Sequence, residues 1–161
     1  MKKIIITIVL AILLTASMSW AAAPGTCTQS FAEVYSASGP TPLATLTFTC
    51  TASAENATFP STATTQTITD QIAGRYILEV RTNPGATAPQ ALYDIAINDT
   101  DGIDLMGGSL ENRSATVSEA APPAIMTGVY WPRPIDGALT LAVTGNNINS
   151  AISVIKVILS R

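Results

Sequence analysis

The sequence predicts an all-β fold: a single antiparallel β-sandwich, jelly-roll or Ig-like, of about seven or eight strands, behind a cleaved leader. Three observations predict it. Apolar and polar residues alternate with period two over most of the chain, 10 Pro and 10 Gly punctuate it at short intervals, and no stretch sustains the 3.6-residue apolar period of a helix. Short strands separated by turns, without helical segments between them, favour packed antiparallel sheets over a βαβ arrangement.

The leader comes first. Met1-Lys2-Lys3 supplies positive charge, Ile4 to Leu14 is uncharged and apolar, and Ser19-Trp20-Ala21 and Ala21-Ala22-Ala23 each offer small residues one and three positions before a cut. Residues 1–23 are read as a signal peptide. Cleavage after Ala21 is favoured over cleavage after Ala23, because the latter would place Pro24 directly behind the cut. The apolar core is shorter than the ~20 residues of a spanning helix, so stable membrane insertion is not expected. The mature domain, 24–161, is then secreted, into a periplasm or to the cell exterior and its surface.

Seven segments carry strand patterning. Phe31 to Ser36 is the first. Leu43 to Thr51 is the clearest, with Leu46, Phe48 and Cys50 expected inward and Thr45, Thr47, Thr49 and Thr51 outward. Arg75 to Thr82 predicts Tyr76, Leu78 and Val80 inward, and Leu92 to Asn98 predicts Tyr93, Ile95 and Ile97 inward. Ile125 to Trp131, Ala138 to Thr144 and Ala151 to Leu159 follow. The last is apolar on both parities apart from Ser153 and Lys156, which predicts a central strand covered on both faces. Asn83-Pro84-Gly85, Asp99 to Gly102, Gly107-Gly108, Pro132 to Gly137 and Gly145-Asn146-Asn147 read as turns, as does Gln71 to Gly74. Ala52 to Thr69, rich in Thr, Ser and Ala, reads as a long loop or an irregular edge.

The two cysteines both lie in the exported part, and one disulfide between Cys27 and Cys50 is the simplest reading. Cys50 would face the core beside Leu46 and Phe48 and staple an N-terminal strand. A redox-active pair is not expected, since there is no Cys-x-x-Cys spacing.

Composition excludes more than it selects. Without the leader, 8 − 2 = 6 basic residues face 11 acidic ones, a net charge of −5. No basic cluster exists to grip a phosphate backbone or an anionic bilayer, so nucleic acid is not an expected partner. The chain contains no His, which removes Ser-His-Asp and Cys-His catalysis and the common His-containing zinc sites. Lys156 is the sole lysine beyond the leader and sits in a strand. No enzyme activity is expected. Carboxylate-pair glycoside hydrolysis is the formal exception, with Asp94, Asp99, Asp101, Asp104 and Glu111 as candidates.

Asn98-Asp99-Thr100-Asp101-Gly102-Ile103-Asp104 is the densest run of oxygen ligands. Asp99, Asp101 and Asp104 are candidate Ca²⁺ ligands, although Gly102 and the position of Glu111 depart from an EF-hand. The favoured alternative is a strand-to-strand turn in which Asp-Gly supplies positive φ and side-chain caps; on that reading no cofactor is needed. Tyr130 and Trp131 form a candidate contact patch, with packing of a strand-end aromatic on the core as the favoured alternative. Asn-x-Ser/Thr triplets at Asn56, Asn98 and Asn112 are read as chance occurrences in a Thr- and Ser-rich chain.

Tyr93-Asp94-Ile95, Asp101-Gly102, Asp104, Gly107-Gly108, Leu110 and Asn112-Arg113-Ser114 form a block that resembles small β-rich proteins encoded among bacteriophage virion genes. Gly74-Arg75 leading into Asn83-Pro84-Gly85 and Ala88-Pro89, and a closing hairpin of Leu139 to Val143 with Ile152 to Leu159, extend the resemblance over about residues 74–161. It implies a structural module that decorates or joins a larger particle and carries no catalytic residues. The leader and the cysteine-bearing segment depart from that pattern and fit a cellular relative used outside the cell.

The leading expectation is a non-enzymatic structural or interaction protein that assembles with itself or with another surface or particle protein. The alternatives are a calcium- or carbohydrate-binding module on the Asp99–Asp104 loop, and a pilin-like subunit.

Overall fold

A computed structural model of the chain describes residues 23–36 and 39–161. The leader expected over 1–23 lies, but for its last residue, outside the described residues. Eleven strands and one helix are present among them: β1 (Thr26–Ser36), β2 (Gly39–Thr51), β3 (Thr62–Ala63), α1 (Gln66–Ile72), β4 (Tyr76–Pro84), β5 (Asp94–Asn98), β6 (Glu119–Ala121), β7 (Ala124–Met126), β8 (Val129–Tyr130), β9 (Arg133–Pro134), β10 (Thr140–Thr144) and β11 (Ile152–Ser160). Every strand pairing is antiparallel. A six-stranded sheet runs β1-β2-β11-β4-β6 with β9 also on β4, a three-stranded sheet runs β3-β10-β5, and β7 pairs with β8.

Both larger sheets supply side chains to one core. Leu46, Phe48, Ile77, Ile155, Val157 and Leu159 come from the first; Ile95, Ile97, Leu141 and Val143 come from the second. Each large aliphatic or aromatic side chain removed from water in this way contributes about 1.5–3 kcal/mol. The expected parity of β2 holds: Leu46, Phe48 and Cys50 are fully buried while the four threonines point outward. Tyr93, Ile95 and Ile97 are likewise inside.

Cys27 and Cys50 form a disulfide between directly opposed residues of β1 and β2. Closing a loop with a sequence separation of 23 removes chain entropy from the unfolded state, for roughly 3 kcal/mol in the loop-entropy account. The bridge secures the terminal strand of the six-stranded sheet to its only partner strand among the described residues.

Five local readings are corrected. Ala52 to Thr69 is not wholly loop or edge, and Gln71 to Gly74 is not simply a turn, because α1 spans Gln66–Ile72. Thr65 caps it by accepting from Ile68 N, and Ile68 and Ile72, one turn apart, reach the core. Seven residues are too few for a helix that stands alone, so core packing holds it. Tyr76 and Leu78 do not share the inward face with Val80. The register of β11 on β4 shifts between Ile158 and Leu159, so Leu78 is an extra residue and the parity reverses. Ile77, Val80 and Thr82 are buried instead, and Tyr76 is exposed.

β11 is central, between β2 and β4, but only one of its faces is fully buried; Ile152, Val154 and Ile158 are half-buried and Lys156 is exposed. Cross-strand neighbours such as Thr47 and Arg81 flank Lys156 there. Finally, β10 and β11 do not form a closing hairpin, since they lie in different sheets. The link from Gly145, at φ 74°, to Ser150, at φ 55°, carries the chain from one to the other.

Tyr93 joins the two layers. It stands next to β5, and its hydroxyl meets the Ser153 hydroxyl of β11 at 3.3 Å, with both residues fully buried. Burial raises the phenol's pKa above its ordinary value of 10.0, and the hydrogen bond to Ser153 opposes that rise. In the unfolded chain the phenol ionises near its ordinary value, whereas the folded chain holds the proton. Stability is therefore fully present below about pH 10 and falls as the pH rises through the folded value. Urea midpoints measured between about pH 9 and 11 should decline, and Tyr93→Phe should flatten that decline. Equal slopes for the two proteins would assign the effect to other groups.

Candidate functional site

β7 and β8 form a ribbon that pairs with neither larger sheet. Its turn passes through Thr127 and Gly128, where φ is +79°, a conformation that glycine adopts without a Cβ penalty. Pro122-Pro123 precedes it and Pro132 and Pro134 follow, so fixed φ angles stiffen both legs. The root is anchored by Ala124 N donating to Met106 O at 3.0 Å and by Trp131 N donating to Pro123 O at 3.1 Å. Gly107 lies so close beneath that a Cβ there would collide with the Ala124 carbonyl oxygen.

The ribbon's side chains face water. Ile125 is 48% exposed, Met126 66%, Val129 41%, Tyr130 54% and Trp131 67%. Single exposed apolar residues are ordinary on a protein surface, but five within seven positions on one two-stranded ribbon are a concentration of the kind that marks an interaction site. No charge occurs from Ala120 through Pro132. Tyr130 and Trp131, the candidate contact patch, are thus outside the core, contrary to the favoured reading of a core-packed strand end. The segment predicted as one strand, Ile125 to Trp131, is two strands folded back at Gly128.

The Asp99–Asp104 loop is occupied with its own backbone. Asp99 Oδ1 accepts from Asp101 N at 2.9 Å and Ile103 N at 2.8 Å, and Gly102 has φ +81°. Asp104 Oδ1 accepts from Ile97 N at 3.2 Å and Met106 N at 3.0 Å, while Oδ2 accepts from Gly108 N at 2.8 Å. These bonds seat the 104–113 segment along the outer edge of β5, where Leu105 N donates to Ile97 O, Ile95 N to Leu110 O and Arg113 N to Tyr93 O. The segment does the work of an edge strand without strand geometry. No group of three or more acidic, His or Cys side chains that could hold a metal ion occurs among the described residues. A thermal melt of the mature domain is expected to be unchanged by millimolar Ca²⁺; a raised midpoint would show binding to the folded state.

Of the five carboxylates considered for hydrolysis, Asp94, Asp104 and Glu111 line one cleft of about 140 Å³, and Asp99 and Asp101 do not. That volume is below the ~300 Å³ at which small-molecule sites begin. Asp94 Oδ1 accepts from Asn112 N at 2.8 Å, so this carboxylate too serves the backbone.

Sequence reasoning missed a second polar assembly. Arg75, only 5% exposed, donates to Glu33 Oε1 at 2.6 Å, and Arg161 donates to the same oxygen at 2.9 Å. These residues are 42 and 128 positions apart from Glu33 in the chain, and no local pattern links them.

No protein-family model, curated protein or solved structure matches this chain.

Proposed function

We propose that the mature chain is an exported, disulfide-closed β-sandwich of jelly-roll or Ig-like type that acts without catalysis, joining copies of itself through the β7–β8 ribbon in a larger surface or particle assembly. The observation that carries this reading is the uncharged ribbon with five exposed apolar side chains. A body with a net charge of −5 repels its own copies, and an uncharged ribbon lets two copies meet at the lowest electrostatic cost. Trp and Tyr are the residue types that most often anchor protein interfaces. The absence of His, with Lys156 as the sole lysine beyond the leader, supports a non-enzymatic role. The disulfide suits an oxidising compartment outside the cytosol, in line with the leader. The resemblance to proteins of bacteriophage virion genes supports a decorating or joining role.

Size-exclusion chromatography with light scattering on the mature domain tests the proposal. A mass that rises above the monomer with concentration is expected. A strict monomer at high concentration, with no partner recovered from the cell surface, would contradict it.

A further inference from the structure

Away from the ribbon, a cleft of about 490 Å³ opens between β1, α1 and the end of β11, lined by Phe31, Glu33, Asp70, Gln71, Arg75 and Arg161. We propose that this cleft binds a small organic carboxylate, held by Arg75 and Arg161 with its apolar part against Phe31.

Arg75 is held on several sides. Its guanidinium lies 5.2 Å from the centroid of the Phe31 ring, Nε donates to Gln71 O at 2.8 Å, and Nη2 donates to Glu33 Oε1 at 2.6 Å. The whole residue is 95% buried and lines the cleft. A guanidinium held by Phe31, Gln71 and Glu33 is rigid, and it stands on the wall of the cleft. Fixed planar donors are suited to the two oxygens of a carboxylate.

Arg161 adds a second positive charge to the same point, since its Nη2 donates to the oxygen that Arg75 already uses. A clip fastening β1 to the start of β4 requires one ion pair. Two guanidinium groups converge on one carboxylate oxygen, so Arg161, the exposed one of the two, can turn a donor to a bound carboxylate while Arg75 keeps the clip. Asp70, also on the lining, is engaged through Oδ1 by Gln66 Nε2 at 2.7 Å. With Glu33 it balances the two arginines across the lining, which disfavours a polyanion and limits the site to a single carboxylate. The volume falls within the ~300–1,000 Å³ of small-molecule sites, and Phe31 provides the apolar wall such sites require.

The carboxylate can come from a free small acid or from the end of a peptide. Calorimetric titration of the mature domain with phenylacetate, with a tripeptide ending in Phe and a free carboxylate, and with the same tripeptide amidated distinguishes the sources. Saturable binding of phenylacetate supports the site for a free acid; binding of the free-ended tripeptide alone supports it for a chain end. Arg161→Gln should weaken whichever binds by about tenfold or more, through loss of one charge-assisted hydrogen bond. Because the Arg161 side chain is 67% exposed, this change leaves the fold in place where Arg75→Gln would strain it. Arg81→Gln, on an exposed arginine that pairs with Glu79, should bind as the wild type does. No binding of either acid, equal binding of the amidated tripeptide, equal binding of inorganic phosphate, or an unchanged affinity in Arg161→Gln would overturn the proposal.

Discussion

Replacing Tyr130 and Trp131 together with serine is expected to abolish self-association of the mature domain while leaving its melting temperature within about 2 °C of wild type. The second half follows from exposure. Neither side chain belongs to the core cluster, and surface substitutions usually change stability by no more than about 0.5 kcal/mol. The first half follows from the character of the patch. Truncating a Trp or Tyr at the centre of an interface commonly costs about 2 kcal/mol or more. Two such losses amount to about 4 kcal/mol, which raises a dissociation constant on the order of a thousandfold. Light scattering on the variant, at concentrations where the wild type associates, should give a monomer mass. An association constant unchanged by the substitutions would move the interface elsewhere, and the outer edge of β1 would be the next surface to test.

Asp104→Ala is expected to destabilise the domain by about 3–5 kcal/mol, since it removes a carboxylate that accepts from three backbone N–H groups. A hydrogen bond to a charged group contributes about 1.5–3 kcal/mol, and partial water access to these amides moderates the sum. For a domain of about 140 residues that loss lowers the melting temperature by roughly 10–15 °C. Asp104→Asn should fall between, because its amide group presents N–H to a donor where Oδ2 accepts from Gly108 N. Asp101→Ala is the control, its residue being exposed and contributing its backbone N–H to the loop. A melting temperature for Asp104→Ala equal to that of Asp101→Ala would show that the 104–113 segment is held without the Asp104 carboxylate, by its backbone bonds to β5 and its apolar side chains.

Strands whose partners impose a regular pleat were legible in the sequence. β2, β5 and the centre of β11 alternate cleanly because one face of each packs on the core, and the disulfide followed from the presence of two cysteines, both beyond the leader. The strands that were misread each contain an interruption. Leu78 is an extra residue against β11, and one such residue inverts every assignment on one side of it. Gly128 folds a run of apolar residues back on itself, which composition alone does not distinguish from a straight strand. Helix α1 offers two apolar positions, Ile68 and Ile72, within a run of threonines, and a single i, i+4 pair is no periodicity.

For the candidate sites, the Asp99–Asp104 loop has the caps and positive φ that its Asp-Gly chemistry indicated, because those interactions lie within a few residues. The convergence of Glu33, Arg75 and Arg161 depends on sheet order. β1, the residue preceding β4 and the end of β11 are brought together only when β11 enters between β2 and β4. A chain read linearly contains no record of that insertion.

Trp131 is the one tryptophan beyond the leader, so the tryptophan fluorescence of the mature protein, excited selectively over tyrosine, reports the ribbon alone. Its emission, recorded across a concentration series that runs from dilute to assembled protein, should move to shorter wavelength and become resistant to acrylamide quenching as copies cover the ribbon. A spectrum that keeps the long-wavelength maximum and full quenching of a hydrated indole at every concentration would mean that the ribbon stays bare, and self-assembly through it would be excluded.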